Sequence, residues 1–315
     1  MLYGVISGKL KMSPTINKYL NLCLKCGACS KFCPSGIDVV DVISAAKYEY
    51  MKNSIFEKIF AYFKRTVIFG FFPKFFGLFV RKTKSMQFEK KVIYFGGCGS
   101  NIKGDKNIVA LLNGLKVEVI NPKFDCCGIS SYTNGDLNGF QKYINSFVNI
   151  IKKYNTKDVV VACASCEKSL KNYIKYAKDE ETAELLKSLN IKNIYSYIRE
   201  SEIKFKLKKS VDVTFHKPCN IENFSDIYWL LSNTENLNYI EMKEFDKCCG
   251  LNGIQNFKEY KIMKEIFEKK RRNILDTNVK YVLTACLGCE FAIKLFSKGN
   301  YKVFDLIDFI IKNKV

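Results

Sequence analysis

Sulfur dominates the reactive side chains of this sequence: its 315 residues include 14 Cys and a single His. The cysteines form three groups with none left over. The first is Cys23, Cys26, Cys29 and Cys33; the second is Cys98, Cys126, Cys127, Cys163 and Cys166; the third is Cys219, Cys248, Cys249, Cys286 and Cys289. The second and third groups copy one pattern. Cys98 and Cys126 are 28 positions apart, Cys219 and Cys248 are 29, Cys127 and Cys163 are 36, and Cys249 and Cys286 are 37. Each group then closes with C-x-x-C. Neighbouring letters repeat too: FDCCG at 124–128 matches DKCCG at 246–250, and ACASCE at 162–167 matches ACLGCE at 285–290.

Free thiols can pack as small hydrophobes, but packing does not copy a spacing. Structural disulfides belong to oxidising compartments and small scaffolds. This chain is long enough to bury a large core, and its first fourteen residues lack an export pattern. Metal ligation is the chemistry left, and with one His the ligands must be thiolates, which suit iron–sulfur clusters. The first group reads CLKCGACSKFCP, the C-x2-C-x2-C-x3-C-P run of bacterial ferredoxins and a specific signal for a cubane [4Fe–4S] cluster. Gly27 relieves crowding inside that loop and Pro34 ends it. In two-cluster ferredoxins the fourth Cys serves the other cluster. No second run exists in this chain, so either Cys33 completes the same cluster or a partner subunit contributes. Gly128 and Gly250 follow the paired cysteines. Two adjacent ligands on one centre require a sharp backbone turn, which Gly permits.

The elements that must hold these ligands alternate. In the first copy, 91–97 reads as a buried strand, 107–116 as a helix, 117–120 as a strand, 137–154 as a helix and 158–162 as a strand, with Cys163 and Cys166 opening the next helix. The second copy reads as a strand over 211–216, a helix near 221–232, the strand LNYI, a helix near 255–275 and a strand over 279–285. Alternation of this kind means parallel α/β layers. Ligands in open α/β sheets gather beyond the carboxyl ends of strands, so three loops can deliver five sulfurs to one point. Helix amino ends at Cys163 and Cys286 favour the thiolate. The expected fold is therefore α/β, with a small helical ferredoxin-like domain at 1–50, a basic aromatic helical linker at 51–90, and two pseudo-repeated parallel α/β CCG domains at 91–205 and 206–315.

Two CCG repeats closed by C-x-x-C and preceded by a ferredoxin run resemble the cysteine-rich CCG iron–sulfur family. That family includes the catalytic subunit of heterodisulfide reductase and the iron–sulfur subunits of glycolate, lactate and anaerobic glycerol-3-phosphate dehydrogenases. The resemblance covers Cys23 to Cys289. It implies that Cys98, Cys126, Cys127, Cys163 and Cys166 hold one non-cubane [4Fe–4S] cluster, and that Cys219, Cys248, Cys249, Cys286 and Cys289 hold a second. FHKPC at 215–219 is similar to the family's His-x-Pro-Cys pattern, with Lys217 where an acidic residue is common. Many fused members carry two ferredoxin runs; this chain carries one. The implied activity is reduction of a disulfide, or oxidation of thiols, between the two CCG centres, with electrons relayed by the cubane. The alternative is an electron conduit from a flavin dehydrogenase subunit to quinone. No G-x-G-x-x-G fingerprint is present, so a flavin belongs to a partner, either a flavoprotein or a cytochrome b being the redox partner expected.

His216, three residues before Cys219, could give a proton to a leaving thiolate or orient the Cys219 loop by a hydrogen bond. The charge is also unusual: 51 Lys+Arg against 31 Asp+Glu give +20. Residues 51–91 contain ten Lys/Arg and two Glu, and 56–88 contain ten of the 25 Phe. Three readings compete, one of them docking on a membrane cytochrome. Another is a helical pair packed on the ferredoxin segment. The third is an interfacial segment whose Phe71, Phe72, Phe75 and Phe76 enter the acyl boundary while Lys58, Lys64, Arg65, Lys74, Arg81 and Lys82 meet lipid phosphates, a peripheral contact on the inner face of the membrane by a cytoplasmic protein. No nucleic-acid fold signature accompanies the basic charge.

Overall fold

The computed structural model describes residues 1–77, 80, 82–251 and 260–315. Two four-stranded, all-parallel sheets carry the two cysteine repeats. The first sheet contains β1 (Lys90–Phe95), β2 (Val117–Ile120), β3 (Asp158–Val161) and β4 (Asn190–Asn193), in the order β2-β1-β3-β4. The second contains β5 (Phe205–His216), β6 (Thr234–Tyr239), β7 (Tyr281–Thr284) and β8 (Lys302–Asp305), in the order β6-β5-β7-β8. The orders are the same, so the duplicated sequence is a duplicated fold. The central strands are almost continuously apolar, as parallel strands covered on both faces must be. Val92, Ile93, Tyr94 and Phe95 are all buried, as are Val159, Val160 and Val161.

Side chains of successive strand residues point to opposite faces. One face of the first sheet, with Val92, Tyr94 and Val160, joins a core continuous with that of the second repeat. The other face, with Ile93, Phe95, Val159 and Val161, packs under the helix Leu137–Ile151 through Phe140, Ile144 and Phe147. The repeats therefore share apolar core, not only a linker. β4 and β8 were not foreseen from sequence. NIKN and KVFD are short and half polar, and only pairing with β3 and β7 makes them strands. The helix expected from about 255 is described from Tyr260 to Leu275; its expected start lies outside the described residues.

The amino-terminal region is helical, with Pro14–Asn21, Ala28–Lys31 and Val39–Lys52 as its main elements. It docks on the first repeat. Gly135, at φ +80°, lets the backbone come so close that an added Cβ would lie 2.6 Å from the Tyr48 backbone N. Lys47 Nζ donates to Asn134 Oδ1 across the same contact at 3.1 Å.

The segment after it matches the interfacial reading in its exposed aromatic residues but not in where several of its basic residues go. The helix Ile55–Phe63 runs into π-helical turns over Lys64–Phe71 and the helix Phe72–Gly77. Ile55 is 75% exposed and Phe56 69%, and Ile59, Tyr62, Phe63, Phe71, Phe72 and Phe75 are also exposed. Three of the basic residues assigned to lipid phosphates turn inward instead. Lys64 is buried, Arg65 pairs with Asp136 at 3.1 Å, and Lys82 Nζ donates to the Asn121 carbonyl at 2.6 Å. A long basic side chain close to unpaired backbone oxygens or a carboxylate gains more there than at a screened surface. Arg81 lies outside the described residues, and so do the side chains of Lys74 and Phe76. Among the described residues no helix is long and apolar enough to cross a membrane.

Candidate metal centres

Each sheet sends its cysteines out at the carboxyl ends of its strands. Cys98 follows β1 in the helix Gly97–Lys103, Cys126 and Cys127 follow β2, and Cys163 follows β3 as the N-cap of the helix Ala164–Asn172. Cys219, Cys248, Cys249 and Cys286 repeat this after β5, β6 and β7, with Cys286 the N-cap of Leu287–Leu295. The strand order reverses between β1 and β3, and between β5 and β7, which is where ligand sites form in such sheets. The CCG turns depend on Gly128 at φ +71° and Gly250 at φ +85°. A Cβ on Gly128 would lie 2.6 Å from the Tyr143 ring; one on Gly250 would lie 3.1 Å from Ile266 Cγ2.

The ten sulfurs make an unbroken series. Cys98 neighbours Cys126, Cys126 neighbours Cys127, Cys127 neighbours Cys166 and Cys166 neighbours Cys163. Cys163 then neighbours Cys286 of the other repeat. From there the series runs through Cys289, Cys249 and Cys248 to Cys219, with Cys249 and Cys289 sulfurs 3.6 Å apart. Outward from the Cys163–Cys286 pair, the two halves use matching positions in matching order. The junction is supported by other atoms: Ala164 N donates to the Ala285 carbonyl at 3.0 Å, and Ser165 Oγ lies 3.3 Å from Cys286 Sγ.

Crowding sets the protonation. Contacts with Cys126 and Cys166 hold the Cys127 thiol well below its usual range, while contacts with Cys127 and Cys98 push Cys126 well above it. Contacts with Cys219 and Cys249 lower Cys248, and contacts with Cys163 and Cys289 lower Cys286. Each lowered thiol sits between two raised ones. So many thiols cannot all ionise side by side unless cations lie among them, and metal ions reverse that repulsion. The space suits such an occupant. A cavity of about 90 Å³ is lined by all five cysteines of the second repeat, with Lys25, Ser165 and Asn220 among its other walls.

The amino-terminal run meets this second site. Cys26, its thiol raised chiefly by burial, feels the charges of Cys248, Cys23 and Cys29. Cys26 and Gly27 share an open recess of about 270 Å³ with Cys219. Gly27, at φ +71°, begins the helix Ala28–Lys31. A Cβ there would have only Lys168 Nζ within 4 Å, so backbone conformation rather than crowding is what calls for Gly. Cys29 is exposed. Cys33 donates its N–H to the Ser30 carbonyl at 3.3 Å and accepts from Gly36 N at 3.1 Å, a turn that contains Pro34.

His216 ends β5 with no exposed surface, and neither ring nitrogen has a hydrogen-bond partner among the described residues. A ring nitrogen and the sulfurs of Cys249 and Cys289 lie within 4.8 Å of one another. Burial and the nearby Lys270 ammonium bring its pKa down to about 3, so the ring is neutral at pH 7. Among the described residues its ring makes no hydrogen bond to the Cys219 loop. Sequence reasoning missed Lys270 altogether. It is a basic residue in a basic helix, but it falls at helical spacing with Met263, Phe267 and Ile274 on the buried face, and that spacing is the signal that could have found it.

The cysteine-rich domain signature named CCG matches the chain twice, over residues 92–171 and 213–294. The chain belongs to the CCG cysteine-rich domain family. Among curated CCG relatives, an uncharacterised iron–sulfur protein of Methanococcus maripaludis is 26% identical over 287 residues, covering 86% of this chain and 56% of the relative. A dihydromethanophenazine:CoB–CoM heterodisulfide reductase chain from Methanosarcina acetivorans is 24% identical, covering 85% and 70%. The "Probable glycolate oxidase iron-sulfur subunit" of Bacillus subtilis is 21% identical, covering 94% and 81%. This CCG chain thus spans little more than half the length of two curated iron–sulfur relatives, from Methanococcus maripaludis and Methanocaldococcus jannaschii, at 56% of each. Among solved structures, a hypothetical protein from Helicobacter pylori shares the fold, with a TM-score of 0.57 at 12% identity, covering 95% of this chain and 64% of that one.

Proposed function

We propose that this chain is an iron–sulfur oxidoreductase subunit of the heterodisulfide reductase type. Cys98, Cys126, Cys127, Cys163 and Cys166 would hold one [4Fe–4S] cluster and Cys219, Cys248, Cys249, Cys286 and Cys289 a second, both non-cubane. Cys23, Cys26, Cys29 and Cys33 would hold a cubane. When bound, the clusters supply one-electron redox chemistry. The protein's own contribution is to bring the two sites together, keep bulk water from most of their sulfurs, and leave an opening on the second. The observation that carries this reading is the symmetric sulfur series meeting at Cys163 and Cys286. Two centres side by side suit a reaction that needs two electrons: a disulfide takes two electrons and two protons and leaves as two thiols. A flavoprotein or cytochrome b partner would supply the electrons, and the nearness of Cys26 to Cys248 favours entry at the second repeat.

The test is anaerobic reconstitution followed by spectroscopy. The expected protein is brown and holds about twelve irons with equal acid-labile sulfide. A thiol from a broad panel, offered to the oxidised protein, should give a new paramagnetic signal. If none does, while a flavin subunit reduces every cluster rapidly, the chain is an electron conduit instead. Zinc in place of iron would end both readings.

The exposed aromatic face of residues 55–75 supports a peripheral membrane contact. Its affinity would come from buried apolar area, because Lys64, Arg65 and Lys82 are engaged internally. Flotation with vesicles should therefore survive high salt and be lost in Phe56→Ser/Phe71→Ser/Phe72→Ser. Wild-type protein that leaves both anionic vesicles and native membranes unbound would overturn it.

A further inference from the structure

The two CCG sites share ligands and backbone but not surroundings. Phe95 lies three residues before Cys98, and His216 three residues before Cys219. The two positions end matching strands, β1 and β5. The helices beneath the CCG turns can also be aligned. The Gly128 turn lies against Phe140 and Tyr143, and the Gly250 turn against Met263 and Ile266, in each case 123 positions later. The same offset carries Phe147 to Lys270. In the first repeat Phe95 and Phe147 pack edge-on at 5.8 Å, and Phe124 closes the group at 4.8 Å from Phe95. In the second, His216 and Lys270 occupy the two matching places, both buried. Asp246, which matches Phe124, turns out to solvent. A wall of phenylalanine has thus become an imidazole and an ammonium.

A buried imidazole with both nitrogens unpartnered is an anomaly that a structure normally resolves with a hydrogen bond. The nearest groups are sulfurs. Lys270 poses the same question: its ammonium is nearly enclosed, feels the charges of Cys249 and Cys248, and donates to the Glu244 carbonyl at 2.6 Å. A cation is stable there if the space between those sulfurs is anionic, as a thiolate-ligated cluster is.

We infer that His216 donates its ring N–H to a sulfur of the second repeat's metal centre and that Lys270 adds positive charge beside it, giving that centre a higher reduction potential than the first, where Phe95 and Phe147 offer neither. Hydrogen bonds to cluster sulfurs and local charge are two of the levers that set such potentials, because both favour the more negative, reduced state. The second centre then accepts electrons first, and it is the one beside the amino-terminal run. His216 acts as a positioning and tuning residue. This rests on the reading that both repeats hold iron–sulfur centres.

The experiment is an electrochemical titration of the reconstituted full-length protein, followed by electron paramagnetic resonance. Cys127→Ser and Cys249→Ser assign the signals to repeats. His216→Phe and Lys270→Met should each lower the potential of the second centre and leave the first in place; His216→Asn, which keeps an N–H donor, should recover part of the shift. Phe95→His should raise the first centre, which tests the idea without disturbing the second. Unchanged potentials in these variants at full iron content would overturn the inference, and so would a strong nitrogen hyperfine coupling, which marks His216 as an iron ligand. Iron and sulfide analysis keeps the two levels separate. Absence of a second-repeat centre from wild-type protein would fail the underlying reading, whereas a loaded centre with an unmoved potential fails only the role of His216.

Discussion

The first CCG turn is pinned by two side-chain donors that have no counterpart at the matching positions of the second. In the first repeat the Cys127 carbonyl accepts from Ser169 Oγ at 2.6 Å and from Tyr173 OH at 3.0 Å, both from the helical stretch that Cys163 opens. The matching positions in the second repeat are Ala292 and Phe296, which have nothing to donate. There the cavity opens, with Lys25 of the amino-terminal run on its wall. Two sites with the same ligands and strand order have therefore been built for different mechanical roles. One is braced by hydrogen bonds and phenylalanine; the other has an imidazole, an ammonium and a cavity in the corresponding places.

The largest effects should come from the ligands themselves. Cys127→Ser and Cys249→Ser are each expected to lose about a third of the iron, roughly four atoms of twelve, since Ser is a poor substitute for a soft thiolate. Metal analysis on anaerobically reconstituted protein checks this. A variant that keeps all its iron would show that its repeat is not a five-ligand site. The turn glycines come next. Gly128→Ala must fit a methyl 2.6 Å from Tyr143 at positive φ, whereas Gly250→Ala faces a looser 3.1 Å contact. Chemical denaturation should give a loss of about 1–3 kcal/mol for the first and a smaller one for the second. Equal losses would remove the distinction between a tight and a loose turn.

Smaller still are the pinning bonds. Ser169→Ala and Tyr173→Phe should each cost about 1 kcal/mol, a typical net value for a buried hydrogen bond. They should also loosen amide protection around Cys127 in hydrogen exchange, while leaving Cys249 as it was. The last difference is in pH. Asp305 and Asn193 both end the fourth strand of their sheet and cap the helix that follows. Burial, with Asp308 nearby, raises Asp305 from the ordinary 3.8 to about 7. The folded state then binds a proton that the unfolded chain has released, so stability falls as pH rises between roughly 4 and 7. Asp305→Asn, which borrows the residue of the first repeat, should flatten that slope and gain most at pH 8, as read from thermal midpoints. A slope unchanged in the variant would place its origin elsewhere.

Much of the architecture was legible because it is carried by local signals. The strands β1, β3 and β7 announce themselves as apolar runs, since a buried parallel strand can expose no polar face. β4 and β8 do not, because four half-polar residues become a strand only through a neighbour. The helix caps at Cys163 and Cys286 could be read from the turn between an apolar run and a C-x-x-C. The inward direction of Lys64, Arg65 and Lys82 could not, because a basic side chain looks the same in sequence whether it meets solvent, a carboxylate or a carbonyl.

Chain composition and spacing by themselves determined that sulfur is the ligand, that it comes in three groups, and that two of those groups are one fold copied. Ligand spacing is a covalent property, and duplication preserves it. Only the tertiary structure decided that the ten sulfurs form a single series through Cys163 and Cys286, that Cys26 lies near Cys248, and that His216 and Lys270 stand where the first repeat has Phe95 and Phe147. Those are relations between residues up to hundreds of positions apart. They are fixed by how two shared cores pack against each other, and no local pattern along the chain encodes them.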